Sequence, residues 1–188
     1  MELNTNKKTN YRWIVCGFLW VAVAVNYVDR TALSAATPII MKEFNIDGTE
    51  MGIIMAAFFW AYALLQVPMG YIADKFGQRI VYSIAVAWWS IAQMCIAVCS
   101  SLFGFVTARL FLGVGEAGSY PCNVGVVSKW FPKHERSRAT AIFDSASKFG
   151  NAFAMPVVVG LITMFTWHAP FLIFGAIGIV WAILWWFF

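Results

Sequence analysis

Charged residues are scarce in this sequence. Aspartate, glutamate, lysine and arginine make up 12% of its 188 residues, whereas a soluble domain carries about 25%. Hydrophobic residues make up 61%. The apolar runs are continuous and do not alternate polar and apolar positions over ~10 residues, as the strands of an outer-membrane barrel would. The composition therefore predicts a helical protein that crosses a membrane several times and leaves no room for a separate soluble domain.

The sequence also lacks the patterns that carry enzymatic chemistry. No nucleophile with a base and an orienting group is discernible, and the four cysteines show no metal or redox spacing. All four lie in apolar segments, where cysteine is usually a small buried hydrophobic residue. The net charge of +4 is located beside the apolar segments, which indicates membrane topology rather than nucleic-acid binding. We expect neither an enzyme nor a metal or cofactor site.

Six membrane spans are predicted, since each needs ~20 apolar residues. They cover roughly residues 13–36, 51–73, 80–98, 102–127, 139–165 and 169–188. The first run is too long and too interrupted by charge for a signal peptide. Residues 1–12 are therefore expected to be a cytoplasmic N-terminus, and residues 13–188 a six-helix membrane domain.

The basic residues outside the spans predict the orientation. One side of the membrane would hold nine of them and the other side only Lys42, which places the N-terminus in the cytoplasm. The nine are Lys7, Lys8, Arg12, Lys75, Arg79, Lys129, Lys133, Arg136 and Arg138. The sixth span would then end at the cytoplasmic face on the uncharged aromatic run 185–188, which favours a partial sequence whose second half is missing.

Several ionisable residues lie inside the spans, where a charge costs roughly 2.5 to 3.5 kcal/mol and usually marks a substrate or ion path. Asp29 and Arg30 lie about 24 Å from the cytoplasmic start of the first span. Arg109 and Glu116 share one face of the fourth span. An alternative interpretation of Asp29 and Arg30 is an internal ion pair that fixes helix packing. Buried ion pairs are weak evidence for stability, so we favour a functional role.

The first and fourth spans begin two three-helix units that run in opposite directions. Each of these two spans carries an acid and an arginine. Inverted repeats place transporter sites near the membrane midplane. The expected fold is therefore an all-α transmembrane bundle of two inverted three-helix repeats.

Two stretches resemble known motifs. The segment GYIADKFGQR at 70–79 resembles the signature G-x-x-x-D-[RK]-x-G-x-[RK] of the major facilitator superfamily. The segment RLFLGVGEAG at 109–118, with Pro121 and Asn123 after it, resembles the fourth helix of its anion:cation symporter family, as does YVDR at 27–30. That family includes bacterial hexuronate, glucarate and galactonate permeases. The resemblance covers essentially the whole chain but corresponds to the N-terminal six-helix half of a twelve-helix protein.

The resemblance implies roles for individual residues. Arg30 would bind the substrate carboxylate, which suits a planar guanidinium. Asp29 and Glu116 would carry protons, because burial disfavours the charged form of a carboxyl and a neighbouring arginine favours it. Arg109 would hold one of these acids in its ionised form. The remaining polar side chains of this group, Tyr62 and Asn26, would hydrogen-bond sugar hydroxyls.

The cytoplasmic loop between the second and third spans would have a different role. The resemblance implies that it holds helices together in the outward-open state, with tight turns at its glycines. The residues concerned are Gly70, Asp74, Lys75, Gly77 and Arg79. The basic members of this group also fit the simpler interpretation that they only set the topology.

Lys148 has two interpretations. As a substrate-binding cation it would favour a second carboxylate, but Asp144 lies one helical turn away and the two could pair and neutralise each other. Both interpretations remain open at this point.

The function expected from these residues is proton-coupled symport of an organic anion by alternating access. A sugar acid is the expected substrate: a hexuronate, aldarate or aldonate. The expected partners are that anion, the lipid of a bacterial inner membrane and the missing C-terminal half. The alternatives are an exchanger of organic phosphates, since arginine binds phosphate equally well, and a non-transporting membrane subunit or sensor.

Overall fold

The computed structural model describes residues 11–188, so Lys7, Lys8 and the rest of residues 1–10 of the predicted cytoplasmic N-terminus lie outside the described residues. The described chain is helical almost throughout. Its seven helices are α1 (Tyr11–Phe44), α2 (Gly48–Phe76), α3 (Gln78–Ile96), α4 (Leu102–Glu116), α5 (Ser119–Trp130), α6 (Lys133–Met164) and α7 (His168–Phe187). Among them, α1, α2, α3, α6 and α7 are each long and apolar enough to cross a membrane.

The first helix is longer than the sequence predicted. It continues through Pro38 to Phe44, although the first span was expected to end near Ala36. Proline removes only one backbone hydrogen bond, and the helix resumes beyond it. The helix ends where Asn45 adopts a φ of 52°, a left-handed conformation common at helix C-termini.

The fourth predicted span is divided into α4 and α5 at Ala117 and Gly118. The amide of Gly118 donates to the carbonyl of Gly115, three residues back, so the last turn of α4 is tightened. Pro121 has no N–H with which to continue the ladder, and it is tolerated because it lies in the first turn of α5. The fourth span therefore has a break beside Glu116.

The helices pack as the inverted repeat requires. The most extensive contacts join α1 to α6, α2 to α4 and α3 to α7. In an inverted repeat, the first, second and third spans correspond to the fourth, fifth and sixth. The contact of the first span with the fifth, α1 with α6, then corresponds to the contact of the fourth with the second, α4 with α2. The contact of the third span with the sixth, α3 with α7, corresponds to itself. This pairing agrees with the predicted bundle of two inverted three-helix repeats.

Glycines allow these close contacts. A Cβ atom at Gly150 in α6 would lie 2.8 Å from the Cβ of Tyr27 in α1. A Cβ at Gly113 in α4 would lie 2.5 Å from the carbonyl oxygen of Phe58 in α2. Both glycines thus bring a neighbouring span close to residues that surround the site described next.

Candidate functional site

An ion pair joins the first and fourth spans. The Nε of Arg30 donates to Oε2 of Glu116 at 2.9 Å. The Glu116 side chain is 0% exposed, whereas that of Arg30 is 22% exposed. Arg30 therefore connects a fully buried acid with the accessible side of the bundle.

Aromatic rings surround the Arg30 guanidinium. Its central carbon lies 4.8 Å from the ring centroid of Tyr62, 4.9 Å from that of Phe58 and 5.2 Å from that of Tyr27. Such contacts stabilise a cation and reduce its mobility. The two terminal nitrogens of Arg30 make no hydrogen bond to any described residue. They can therefore donate to a planar anion.

Arg109 makes no direct ion pair with Glu116 or Asp29. Within residues 11–188 it has no acid within ion-pair distance, and its guanidinium lies over the ring of Phe58, 4.6 Å from the centroid. Its Nε and Nη1 are buried without a hydrogen-bond partner in the described chain. The reason is that Glu116 ends α4 and is paired across the bundle with Arg30.

Asp29 is buried on the other side of this cluster. It is 1% exposed, and neither carboxylate oxygen has a hydrogen-bond partner in the part of the chain that the structure describes. Gln93 of α3 donates from Nε2 to the Asp29 backbone carbonyl at 3.3 Å, which anchors α1 at this level. A buried carboxyl without partners is costly to keep charged.

A small cleft opens beside Arg30 on the accessible side, between α1, α2, α5 and α6. Polar and aromatic side chains dominate its lining: Val23, Asn26, Tyr27, Arg30, Tyr62, Ser119, Tyr120, Asn123, Phe143 and Asp144. The structure thus brings together the predicted residues Arg30, Tyr62 and Asn26. The hydroxyl of Tyr62 also accepts a hydrogen bond from Gln66 at 3.5 Å.

Five polar members of this lining had no predicted site role, and one of them is Tyr27 of α1. Tyr120 and Asn123 follow Glu116 by four and seven residues, a helical spacing that could have indicated a shared face. Ser119 lies at the helix break, which no hydrophobic pattern revealed. Asp144 was considered only as a partner for Lys148.

Lys148 lies on the exposed side of α6, as does Asp144. No ion pair joins their side chains among the described residues. The structure therefore shows no direct pairing of these two side chains. Lys148 is also absent from the cleft lining.

The motif at 70–79 forms the joint between α2 and α3. Gly77 adopts a φ of 93°, which L-residues with side chains rarely adopt. A Cβ on Gly70 would lie 3.5 Å from the Pro121 ring, so this glycine lies beside the start of α5. Lys75 is exposed, with its amine 5.4 Å from the ring centroid of Phe76.

Two polar contacts extend from this joint to other helices. Asp74 accepts a hydrogen bond from the Gln78 amide at 3.1 Å, and the Gln78 carbonyl oxygen accepts one from Lys129 of α5. Arg79 donates to the backbone carbonyl of Trp186 at the end of α7.

Long apolar helices with charges buried at depth define an integral, multi-pass membrane protein of the transporter type. The sequence pattern of the Major Facilitator Superfamily matches residues 19–188. The chain belongs to this superfamily, whose members are transporters and not enzymes.

Three bacterial relatives illustrate the similarity. The chain is 35% identical to a D-galactonate transporter of Escherichia coli O6:H1, over 98% of this chain and 43% of the relative. It is 36% identical to a probable galactarate/D-glucarate transporter of Escherichia coli K12, over 95% and 42% of the two chains. It is 33% identical to the hexuronate transporter of the same strain, over 93% and 40%. The chain spans about two fifths of the length of these relatives.

Solved structures confirm the fold. A bacterial homologue of the human lysosomal transporter Spinster, in an inward-facing and occupied conformation, superposes with a TM-score of 0.85 at 24% identity. The match covers 96% of this chain and 44% of the other. A POT family transporter in complex with 5-aminolevulinic acid gives a TM-score of 0.78 at 20% identity, over 91% and 38% of the two chains. The expected six-helix bundle of the major facilitator fold is therefore confirmed.

Proposed function

We propose that this protein takes up a sugar acid together with a proton by alternating access. The membrane would be a bacterial inner membrane, with the N-terminus in the cytoplasm. The relatives named for galactonate, galactarate, glucarate and hexuronate transport support a sugar acid as the substrate. Each of these compounds combines carboxylate with several hydroxyl groups.

The observation that carries the proposal is the partly exposed guanidinium of Arg30, held from behind by Glu116. The substrate carboxylate binds the terminal nitrogens of Arg30, where two parallel hydrogen bonds suit the planar geometry. Tyr62 and Asn26 in the same cleft hydrogen-bond the hydroxyls.

Proton coupling follows from competition for Arg30. Ionised Glu116 and the substrate carboxylate both attract the same guanidinium. Protonation of Glu116 removes one competitor, so it favours substrate binding, and loss of the proton favours release. Asp29, buried without partners, is the second proton carrier. Arg109 lies on the same Phe58 ring as Arg30 and contributes positive charge that eases loss of these protons.

A second six-helix unit completes the binding site. The cleft of this chain has a volume of about 40 Å³, whereas pockets for small molecules measure roughly 300–1,000 Å³. Residues 13–188 are proposed to act as one membrane domain that rocks against that second unit. The segment with Gly70, Asp74, Lys75, Gly77 and Arg79 holds the cytoplasmic side closed in the outward-open state.

Uptake in cells tests the proposal. A host without its own sugar-acid permeases, expressing this protein, should accumulate labelled D-galactonate when the outside is more acidic than the inside. Dissipating the pH gradient with a protonophore should abolish accumulation. Equal accumulation with and without the pH gradient would contradict proton coupling.

Substitution of Arg30 tests the site itself. Arg30→Ala should reduce uptake by at least about a hundredfold, because a charge-assisted bidentate contact is lost. Arg30→Lys should restore only part of it, since an ammonium group cannot reproduce the planar fork. Unchanged uptake in Arg30→Ala would overturn the proposal, provided that both variants reach the membrane in equal amounts.

A further inference from the structure

The cleft beside Arg30 carries charge of both signs. Arg30 and Asp144 both line it, and every other polar group in the lining is a neutral hydroxyl or amide. The two charged residues come from different helices, α1 and α6, whose N-terminal halves run side by side. The contact from the indole N–H of Trp20 to the hydroxyl oxygen of Ser145, at 3.2 Å, shows this directly.

The carboxylate of Asp144 is available for a ligand. Its side chain makes no hydrogen bond to any described residue, and the Ser147 hydroxyl donates only to its backbone carbonyl. No described cation lies within ion-pair distance of its side chain. Lys148 is the nearest basic residue along α6, and it lies outside the cleft lining. The negative charge of Asp144 is therefore not neutralised at close range.

An ionised carboxylate only accepts hydrogen bonds. It can accept from a hydroxyl of a ligand, but it repels a second ligand carboxylate, because like charges held close together in a site are unfavourable. Specificity between related ligands often depends on such a repulsive group. A sugar acid with one carboxylate on Arg30 and a terminal hydroxymethyl group satisfies both charged residues, whereas an aldarate brings a second carboxylate to the cleft.

We propose that Asp144 makes this site selective for monocarboxylic sugar acids, the aldonates, over dicarboxylic aldarates. This inference rests on the proposed sugar-acid transport. It assigns selectivity to a residue of α6 rather than to Arg30, which binds the carboxylate that both substrate classes share. The inference also predicts that the positive charge of Lys148 does not make the site prefer dicarboxylic acids.

Competition between two acids of equal carbon number tests the inference. Uptake of labelled D-galactonate should be inhibited by unlabelled D-galactonate at concentrations at least about tenfold lower than by unlabelled galactarate, as expected for one repulsive contact. In Asp144→Asn the difference should fall to about threefold or less, because the neutral amide does not repel the second carboxylate. Asp144→Glu retains the charge and should retain the preference.

Lys148→Gln is the matched control, since it removes a charge one turn away on the same helix. It should leave the ratio of the two inhibitory concentrations unchanged. Equal inhibition by the two acids in the unmodified protein, or an unchanged ratio in Asp144→Asn, would overturn the inference and leave sugar-acid transport standing. Failure to take up either acid would overturn the proposed function and this inference with it.

Discussion

Two contacts between helices of the bundle differ in the kind of side chain that they bury. Between α3 and α7, aromatic rings pack together: the Tyr82 ring lies 5.0 Å from that of Trp181, which stacks on Trp185 at 5.2 Å. Where α1, α2 and α4 meet, two acids and two arginines occupy the interior, with a single ion pair among them. Packing explains the first contact, but desolvation makes the second a poor source of stability. The comparison teaches that packing accounts for the aromatic region, whereas the charged region needs another explanation, which the proposed transport supplies.

The largest effect on folding is expected from Gly175 in the aromatic region. A Cβ atom there would lie 2.5 Å from Cγ of Met94 and 2.9 Å from the backbone oxygen of Ser90. Gly175→Val should therefore separate α3 from α7 and reduce the yield of folded protein severalfold, measured as the monodisperse fraction in detergent. Gly160→Val is the control, because a Cβ at Gly160 meets nothing within 4 Å. A normal yield for Gly175→Val would contradict the packing account.

In the charged region, a substitution should impair transport and leave folding intact. Asp29→Asn should fold normally, since it replaces a buried carboxyl that has no hydrogen-bond partner in the described chain. It should abolish gradient-driven accumulation of D-galactonate while exchange between labelled and unlabelled substrate continues, because a proton carrier is lost. Glu43→Gln, at the C-terminal end of α1, should change neither measurement. Full accumulation in Asp29→Asn would remove Asp29 from the coupling mechanism.

A smaller effect on stability is expected at the edge between the two regions. The hydroxyl groups of Tyr82 and Ser119 lie 3.3 Å apart in the buried contact of α3 with α5. Tyr82→Phe should lower the free energy of unfolding by about 1 kcal/mol, which corresponds to roughly 2–4 °C in the thermal midpoint. Tyr71→Phe, on the exposed surface of α2, should leave the midpoint in place. Equal midpoints for both variants would argue against this hydrogen bond.

The smallest effect is expected from an ion pair outside the charged interior. Arg12 and Glu135 pair at 2.9 Å near the N-terminal ends of α1 and α6, with side chains 15% and 20% exposed. Arg12→Gln should cost about 0.2–1 kcal/mol at low salt and less at high salt. Thermal midpoints of the variant and the unmodified protein at two salt concentrations measure this. A large loss of stability that is equal at both salt concentrations would show that this pair behaves as a buried ion pair.

Much of the fold follows from the sequence, because apolar length and basic loops are strong signals in membrane proteins. The six predicted spans are present, the fourth of them as the two helices α4 and α5. The break at Gly118 was not predicted. A continuous apolar run does not show where a helix is interrupted, although Gly118 and Pro121 together could have suggested it.

The site was only partly predictable. Buried charge indicated Asp29, Arg30, Arg109 and Glu116 individually, since charges in spans are rare. Their partners depend on which helices meet, and a seven-residue spacing within α4 could not reveal that Glu116 pairs with Arg30 of α1. The position of Asp144 in the cleft was missed for the same reason.

Substrate binding at two pH values tests the central claim that Glu116 and the substrate compete for Arg30. The affinity for D-galactonate should be measured by calorimetry on the purified protein and on Glu116→Gln, at pH 5.5 and at pH 7.5. The account predicts that Glu116→Gln binds more tightly than the unmodified protein at pH 7.5, because its neutral amide leaves Arg30 free for the substrate. Weaker binding by Glu116→Gln, or binding lost altogether, would contradict it.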